Sequence, residues 1–238
     1  MFSRRHPILF TALVFTAIAG ATLVALTTVL AVALGGDEFS FGDGDKVGII
    51  EVEGMILDAR TVLEDLKRFR EEETVRAIVL RIDSPGGVVG PAQEIYREVL
   101  KTRDEKTVVA SMGAIAASGG YYVAAAAEGV MANPGTITGS IGVIIEYTNF
   151  QNLLDKIGLV PVVIKSGQYK DLASPVKKLS EKEREILQRF VDETHRQFIR
   201  AVAEGRGMDE NTVTGLADGR IFNGETAQDL GLVDRLGN

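Results

Sequence analysis

The stretch Gly113-Ala-Ile-Ala-Ala-Ser118-Gly-Gly-Tyr-Tyr122 decides the fold, because it joins a predicted buried strand to a predicted helix. The apolar run at 107–112 predicts the strand, and the small residues at 123–127 predict the helix. Ser118 therefore lies at a glycine-rich and alanine-rich turn that a substrate backbone can approach closely. A helix that begins here directs its free N–H groups toward an oxyanion beside Ser118, although such a serine often serves only as a helix cap.

The composition excludes several kinds of site. The net charge of the 238 residues is −7, and binding of nucleic-acid phosphates needs a basic surface, so we expect no nucleic-acid partner. The chain has no cysteine, which rules out disulfides, zinc–thiolate sites and a thiol nucleophile. Its two histidines are His6, in the N-terminal tail, and His195, which we expect to serve in helix packing.

The N-terminal segment predicts a membrane anchor. Residues 8–34 contain no charged side chain, and as a helix with a rise of ~1.5 Å per residue they would span roughly 40 Å, enough to cross a bilayer. Arg4 and Arg5 precede this segment and acidic residues follow it, so the positive-inside rule places the N-terminus in the cytoplasm and the rest outside. A cleaved signal peptide is the alternative, because Ala31-Val-Ala33 resembles a cleavage site, but the length of the apolar run favours an uncleaved anchor.

These features divide the chain into three parts and predict a single-pass protein of the cell membrane. The parts are a cytoplasmic tail and transmembrane anchor at 1–36, a linker rich in glycine and aspartate at 37–45, and a folded domain at 46–238.

The folded domain alternates predicted strands with predicted helices, which is typical of an α/β layered fold with mostly parallel strands. A long helix near the end begins with Ser180-x-x-Glu183, a capping-box pattern. A turn, a short helix and a last strand are predicted over 219–234. The earlier strands are predicted at 47–52, 75–82, 107–112, 141–145 and 160–164, and the helices at 61–70, 91–101, 151–157 and 180–204.

Two strand ends carry glycine-rich turns, and this coincidence points to a site. Asp83-Ser-Pro-Gly-Gly87 follows one strand, and the turn at Ser118 follows the next. Ser-Pro-Gly-Gly is a common turn, but its backbone N–H groups can also stabilise an oxyanion. Sites in open α/β sheets form at strand ends of this kind.

A serine nucleophile needs a base, and lysine is the natural candidate where histidine is scarce and cysteine absent. Lys170 lies in the loop 166–175, after the predicted strand that ends near Ile164. The neighbouring Asp171 also allows a simple surface ion pair at this position.

Several motifs in unbroken order resemble bacterial and archaeal signal peptide peptidase A. They are the Ser-Pro-Gly-Gly turn, Ala-Ala-Ser118-Gly-Gly-Tyr-Tyr, Asn133-Pro-Gly-Thr-Ile-Thr-Gly-Ser140-Ile-Gly, Lys165-Ser-Gly-x-x-Lys170-Asp, and Gly219-Arg-x-x-x-Gly-x-x-Ala-x-x-x-Gly-Leu-Val-Asp. The resemblance covers residues 46–238 and implies a Clp/crotonase-like fold behind one N-terminal transmembrane helix. It implies a Ser–Lys serine endopeptidase that cuts remnant signal peptides and other hydrophobic peptides released from membranes.

The resemblance also assigns roles by position. Ser118 corresponds to the family nucleophile and Lys170 to its general base. Gly86, Gly87 and Gly119 correspond to the backbone donors of the oxyanion hole. Ser140 corresponds to a serine that orients the lysine, although it is also an ordinary loop serine. No metal or organic cofactor is implied.

The given sequence contains these motifs once, whereas long members of the family carry a second copy of the domain, and this difference bears on assembly. In the family the base reaches the serine from a neighbouring domain, so the resemblance implies a homo-oligomer, an eight-membered ring with each dyad shared between subunits. Residues 8–34 would contact membrane lipid. The alternatives are a crotonase-like enzyme acting on acyl-coenzyme A and a non-catalytic membrane scaffold.

Overall fold

The computed structural model describes residues 6–33 and 44–237, in two compact units that divide at Gly44. The first unit contains helix α1, Pro7–Ala33. When only the described residues are counted, no helix is both long enough and apolar enough to cross a membrane. The span at 8–34 therefore stays a prediction, and the predicted linker lies outside the described residues except for Gly44 and Asp45.

The second unit alternates strands with helices, as the sequence predicts. Its elements in chain order are β1 Lys46–Ile56, α2 Arg60–Glu71, β2 Val75–Gly87, α3 Val89–Arg103, β3 Thr107–Ala117, α4 Gly119–Ala124, β4 Gly129–Ala132, β5 Ile137–Gly139, α5 Gln151–Lys156, α6 Glu181–Arg206, α7 Glu210–Leu216, β6 Ile221–Phe222, α8 Gly224–Asp229 and β7 Arg235–Leu236.

The strands form one mostly parallel sheet. Its main path runs β1-β2-β3-β4-β7, and every pairing along this path is parallel. Strand β5 pairs in parallel with the last part of β3, and β6 pairs antiparallel with β5. The predicted α/β fold with mostly parallel strands is confirmed. Because β3 is central, its end at Ala117 brings the following Ser118 into the middle of the sheet edge.

The core forms where apolar residues alternate along the central strands and meet the helices. Strands β2 and β3 contribute seven apolar side chains with no exposed surface, Ile78, Leu80, Ile82, Val108, Ala110, Met112 and Ala116. Burial of the valine, leucine, isoleucine and methionine side chains among them, each contributing roughly 1.5–3 kcal/mol, holds the sheet to its helices. The register of both strands is set by this pattern, because a slip of one residue would expose every one of these side chains.

The small residues after Ser118 allow close packing against α6. The helix predicted at 123–127 begins earlier, at Gly119, and residues 124–127, all alanines, have no exposed surface. A methyl group at Gly205, near the end of α6, would collide with the carbonyl oxygen of Ala125. Helix α6 therefore lies directly on the backbone that follows the Ser118 turn.

The ends of α6 form as their sequence predicts. The Ser180 hydroxyl accepts a hydrogen bond from the Glu183 amide (3.3 Å), and the Glu183 carboxylate accepts one from the Ser180 amide (3.0 Å), which completes the predicted capping box. Gly207 ends the helix with a φ of 61°, the left-handed conformation that glycine adopts most easily.

Two predicted strands are wrong. Residues 141–145 and 160–164 have no regular structure. The second of these segments has no neighbour to cover it in a single chain, because Val160 is 83% exposed and Ile164 is 97% exposed. A strand needs a partner for its backbone groups, and the apolar pattern alone does not supply one.

A buried carboxylate at the start of α6 makes stability depend on pH. Hydrogen bonds from Lys177 and Ser180 lower the pKa of Glu183 from 4.5 to about 2. Because the pKa in the folded protein is the lower one, this stabilisation is present above an ordinary carboxylate pKa and is lost as pH falls through the folded value. We expect Glu183→Gln to lower the melting temperature at about pH 7, and the difference from the wild type to shrink at about pH 3.

Thermal unfolding followed by circular dichroism measures both differences. Glu193→Gln is the control, since Glu193 lies exposed on the same helix. An equal destabilisation of the Glu183 variant at both pH values would contradict the assignment.

Candidate active site

Ser118 occupies a strained turn between β3 and α4. Its backbone has φ 52° and ψ −121°, a conformation that residues other than glycine rarely adopt. The Ser118 amide donates to the Gly139 carbonyl (2.9 Å), and the Ser118 carbonyl accepts from the Tyr122 amide (2.8 Å). Strained backbone of this kind persists where the surroundings fix it, and it clusters at functional sites.

Two glycine backbones meet beside this serine. Gly86 has a φ of 99°, and a methyl group there would lie 2.6 Å from the Gly119 nitrogen and 2.9 Å from the Ser118 Cβ. A methyl group at Gly119 would lie 3.3 Å from the Gly87 nitrogen. The three predicted oxyanion glycines are therefore brought together next to Ser118, with no side chain between the two segments.

The three glycine amides are not equivalent. The Gly86 amide donates to the Ser84 hydroxyl (3.1 Å), which itself donates to the Gly54 carbonyl (2.5 Å). The Gly119 amide belongs to the first residue of α4, where a helix offers no acceptor. Gly119, with Gly87 beside it, is thus better placed than Gly86 to donate to an oxyanion.

The second predicted serine also lies near Ser118. Ser140 directly follows Gly139, whose carbonyl accepts from the Ser118 amide, and Ser140 has a φ of 51°. The Ser140 amide donates to the Arg220 carbonyl (2.8 Å), which fixes this turn to the C-terminal part of the domain.

Ser118 and Ser140 line one cavity of about 560 Å³. Gly87 and Gly142 contribute to one side of it, and α6 contributes another. A second cavity of about 630 Å³ shares four lining residues with it, Val143, Ile144, Gln188 and Val191. The two cavities form one groove that runs from Ser118 along α6, and its shared part is mostly apolar.

Lys170 does not reach this groove within one chain. Its side chain is exposed and is not among the residues that line the Ser118 cavity. The surface pair of Lys170 with Asp171, allowed by the sequence, does not form, because Asp171 binds Lys165 (2.7 Å) and Lys177 (2.9 Å) instead. Hydrogen bonds from these two lysines lower the pKa of Asp171 to about 2.

His195 lies on the cavity wall, although none of the sequence motifs includes it. We expected helix packing for it, but the structure places it on the wall of the Ser118 cavity. Its Nε2 atom is buried and has no hydrogen-bond partner among the described residues. The only signal in the sequence was the border position of His195 on the apolar face of α6. Within the described part of the chain, no three histidine, aspartate or glutamate side chains cluster as a metal site would require.

Two family models match this chain. The model described as Peptidase family S49 matches residues 101–238, which include Ser118, Ser140 and Lys170. The model described as Clp protease matches residues 47–137 and agrees with the α/β fold of the folded unit.

Relatives from three organisms carry peptidase names. A protein of Synechocystis sp., named as a candidate protease, is 48% identical over 81% of this chain and 70% of its own length. One of Enterococcus faecium, named as a candidate signal peptide peptidase SppA, is 42% identical over 74% of this chain and 51% of its own length. One of Methanocaldococcus jannaschii, also named as a candidate protease, is 31% identical over 91% of this chain and 74% of its own length.

The contact between glycine backbones gives a stability test. We expect Gly86→Ala to lower the free energy of unfolding by about 1–3 kcal/mol, because its positive φ and the nearby Gly119 nitrogen both oppose a methyl group. Gly90→Ala is the matched control, since a methyl group there meets nothing within 4 Å, and it should be neutral or stabilising by up to about 1 kcal/mol. Urea unfolding measures the free energy of unfolding of both variants. Equal changes in Gly86→Ala and Gly90→Ala would contradict the contact between the glycine backbones.

Proposed function

Because the chain belongs to peptidase family S49, we propose that it is a serine endopeptidase with Ser118 as nucleophile and Lys170 as general base. The observation that carries the proposal is the position of Ser118 on a strained turn, against two glycine backbones and at one end of a groove. This arrangement exposes a hydroxyl beside backbone donors, as acyl transfer requires.

The proposed reaction runs in two steps. Neutral Lys170 takes the proton of the Ser118 hydroxyl while the serine oxygen bonds to the peptide carbonyl carbon. The amides of Gly87 and Gly119 donate to the oxyanion, and Gly86 keeps the two backbones in contact. The C–N bond breaks as Lys170 returns the proton to the leaving amine. A water molecule then gives a proton to Lys170 and attacks the acyl carbon, and the acyl C–O bond breaks as Lys170 passes this proton to the Ser118 oxygen.

The base comes from a neighbouring subunit in this proposal. Lys170 is exposed and away from Ser118 in its own chain, and the segment leading to it exposes Val160, Val162 and Ile164. A run of exposed apolar side chains is typical of a protein interface. We propose that this segment packs on the next subunit of a homo-oligomer, an eight-membered ring by resemblance to short family members. Ser140 would then orient the incoming lysine ammonium.

The proposed substrates are hydrophobic peptides, including remnant signal peptides. The groove from Ser118 is lined by Val143, Ile144 and Val191, which suit apolar side chains. Residues 8–34 would hold the protein in the cell membrane, with the N-terminus in the cytoplasm and the peptidase domain outside. The uncharged sequence of this segment, preceded by Arg4 and Arg5, supports that placement.

Replacement of either dyad residue tests the chemistry. We expect Ser118→Ala and Lys170→Ala to lower kcat by about a thousandfold or more on an apolar alanine- and leucine-containing fluorogenic peptide, because each removes a group that takes part in bond making. Lys178→Ala, which removes an exposed lysine of the same segment, should keep wild-type activity. Full activity of Lys170→Ala would exclude it as the base.

Co-expression of the two inactive variants tests the shared site. If serine and lysine come from different subunits, random assembly of equal amounts restores about a quarter of the wild-type sites. If each subunit holds its own dyad, every site lacks one group and the mixture stays inactive. A wild-type protein that cleaves no peptide would instead favour the scaffold or the acyl-coenzyme A enzyme.

The pH profile tests the identity of the base. Lysine acts as a base only when neutral, so kcat/KM should rise about tenfold per pH unit on the acid side of the profile and continue to rise into mildly alkaline solution. Initial rates on the same fluorogenic peptide give this profile. A rate that falls steadily above about pH 6 would contradict a lysine base.

A further inference from the structure

We propose that Asp171 is a positioning residue for the base Lys170, because its carboxylate bonds to Lys165 and Lys177 and so fixes the turn between them. The inference rests on the proposed function, since it takes Lys170 as the base. It goes beyond that function by naming what holds the lysine in place within a segment that packs little against the rest of the domain.

The first argument is the geometry of the turn. Asp171 Oδ1 accepts hydrogen bonds from Lys165 Nζ (2.7 Å) and from Lys177 Nζ (2.9 Å), and each lysine lies six residues away in sequence. Lys165 Nζ also donates to the Gln168 carbonyl (2.9 Å). Side-chain contacts thus close the chain into two adjacent loops that meet at Asp171, and Lys170 is the residue just before this junction.

The second argument is that these contacts continue to the start of α6. Lys177 Nζ also donates to the Glu183 carboxylate, which accepts another hydrogen bond from the Ser180 amide (3.0 Å). The side chains of Asp171 and Glu183 are only 14% and 6% exposed, so these ion pairs are less weakened by solvent than pairs on an open surface. The turn is therefore attached to the end of α6 that the capping box fixes.

The third argument concerns the charge beside the base. A lysine acts as a base only when it is neutral, and a carboxylate paired with it would favour its charged form. Asp171 follows Lys170 directly in sequence, but its carboxylate already binds two other ammonium groups. The network therefore directs the neighbouring carboxylate toward Lys165 and Lys177, and it leaves the Lys170 side chain exposed for the serine of another subunit.

The fourth argument is that the base needs such support. The chain that leads to the turn is exposed at Val162 and Ile164, so apolar packing within one subunit does not fix it. A general base must come within hydrogen-bond distance of the proton that it takes. A turn that is already closed before assembly leaves fewer positions open to the Lys170 amine, which is the benefit of a pre-organised site.

Kinetics of Asp171 variants test the proposal. We expect Asp171→Ala to lower kcat about tenfold or more on the apolar fluorogenic peptide, because a displaced base takes the proton less efficiently. Asp171→Asn keeps an acceptor oxygen for the two lysines, so its kcat should fall less, by about threefold. Asp155→Ala is the control, since it removes an exposed aspartate of α5, and it should keep the wild-type kcat.

Binding and assembly distinguish a displaced base from a damaged groove. The Kd of the same peptide, labelled with a fluorophore, is measured by fluorescence anisotropy on full-length Ser118→Ala protein in detergent, with and without Asp171→Ala. We expect this Kd to change less than about twofold, because the base takes part in bond making and not in binding of the substrate. Light scattering should give the same oligomer for Asp171→Ala and for the wild type.

Co-expression shows in which subunit the carboxylate acts. In a mixture of Ser118→Ala and Lys170→Ala chains, each restored site takes its lysine from the Ser118→Ala chain. Asp171→Ala added to that chain should lower the restored activity about tenfold, whereas the same change in the Lys170→Ala chain should leave it unchanged. A general loss of structure would lower the activity in both placements. If the mixture is inactive, the kinetics of the single variants decide the proposal.

Four results would overturn the proposal. They are a wild-type kcat in Asp171→Ala, a Kd that rises as much as kcat falls, a loss of the oligomer in Asp171→Ala, and an equal loss of activity in the two placements. Failure of the proposed function looks different, because the wild type would then cleave no peptide or Lys170→Ala would keep full activity. If only this proposal fails, Lys170→Ala is inactive while Asp171→Ala is not selectively impaired in kcat.

Discussion

The contact between the Gly86 and Ser118–Gly119 backbones is the constraint on which the site depends. Strand β2 continues through the Ser-Pro-Gly-Gly sequence, so its backbone reaches the turn at which β3 ends. A Cβ atom at Gly86 would separate the two segments and move the Gly87 and Gly119 amides away from the serine. The Ser84 hydroxyl also holds the glycine segment in place. It accepts a hydrogen bond from the Gly86 amide and donates one to the Gly54 carbonyl of the neighbouring strand β1. The contact with Gly86 and the hydrogen bonds of Ser84 together fix the turn, which explains how an unfavourable backbone conformation at Ser118 can persist.

The same fold leaves the two residues of the proposed dyad apart within one chain. The sheet, the glycine turns and the serine all belong to the well-packed part of the domain, whereas Lys170 lies in a segment that packs little against it. Salt bridges of Asp171 with Lys165 and Lys177 shape this segment locally and leave the Lys170 side chain unpaired with its neighbour in sequence. The proposed base, carried on an exposed apolar segment, fits a site completed by assembly, and such a site would be active only in the oligomer.

Helix α6 connects the stability of the domain to its groove. Its start is fixed by the capping box at Ser180, and its end lies against the alanines that follow Ser118. The residues of α6 that line the cavity, Gln188, Val191, Asp192 and His195, lie between these two fixed ends. Because both ends are held, the position of this wall of the cavity relative to the serine is held as well.

The sequence by itself determined the alternating elements, the parallel sheet, the capping box and the Ser118 turn, because hydrophobic period and glycine placement are local properties of the chain. It also grouped Gly86, Gly87, Gly119 and Ser140 through their motifs. Only the tertiary structure decided that the Ser84 hydroxyl bonds to Gly54 of the neighbouring strand and that His195 is among the residues that line the cavity, since both depend on contacts between distant segments. The two predicted strands failed for the same reason. An apolar pattern indicates that a segment will be buried, but it does not indicate whether the residues that bury it belong to the same chain.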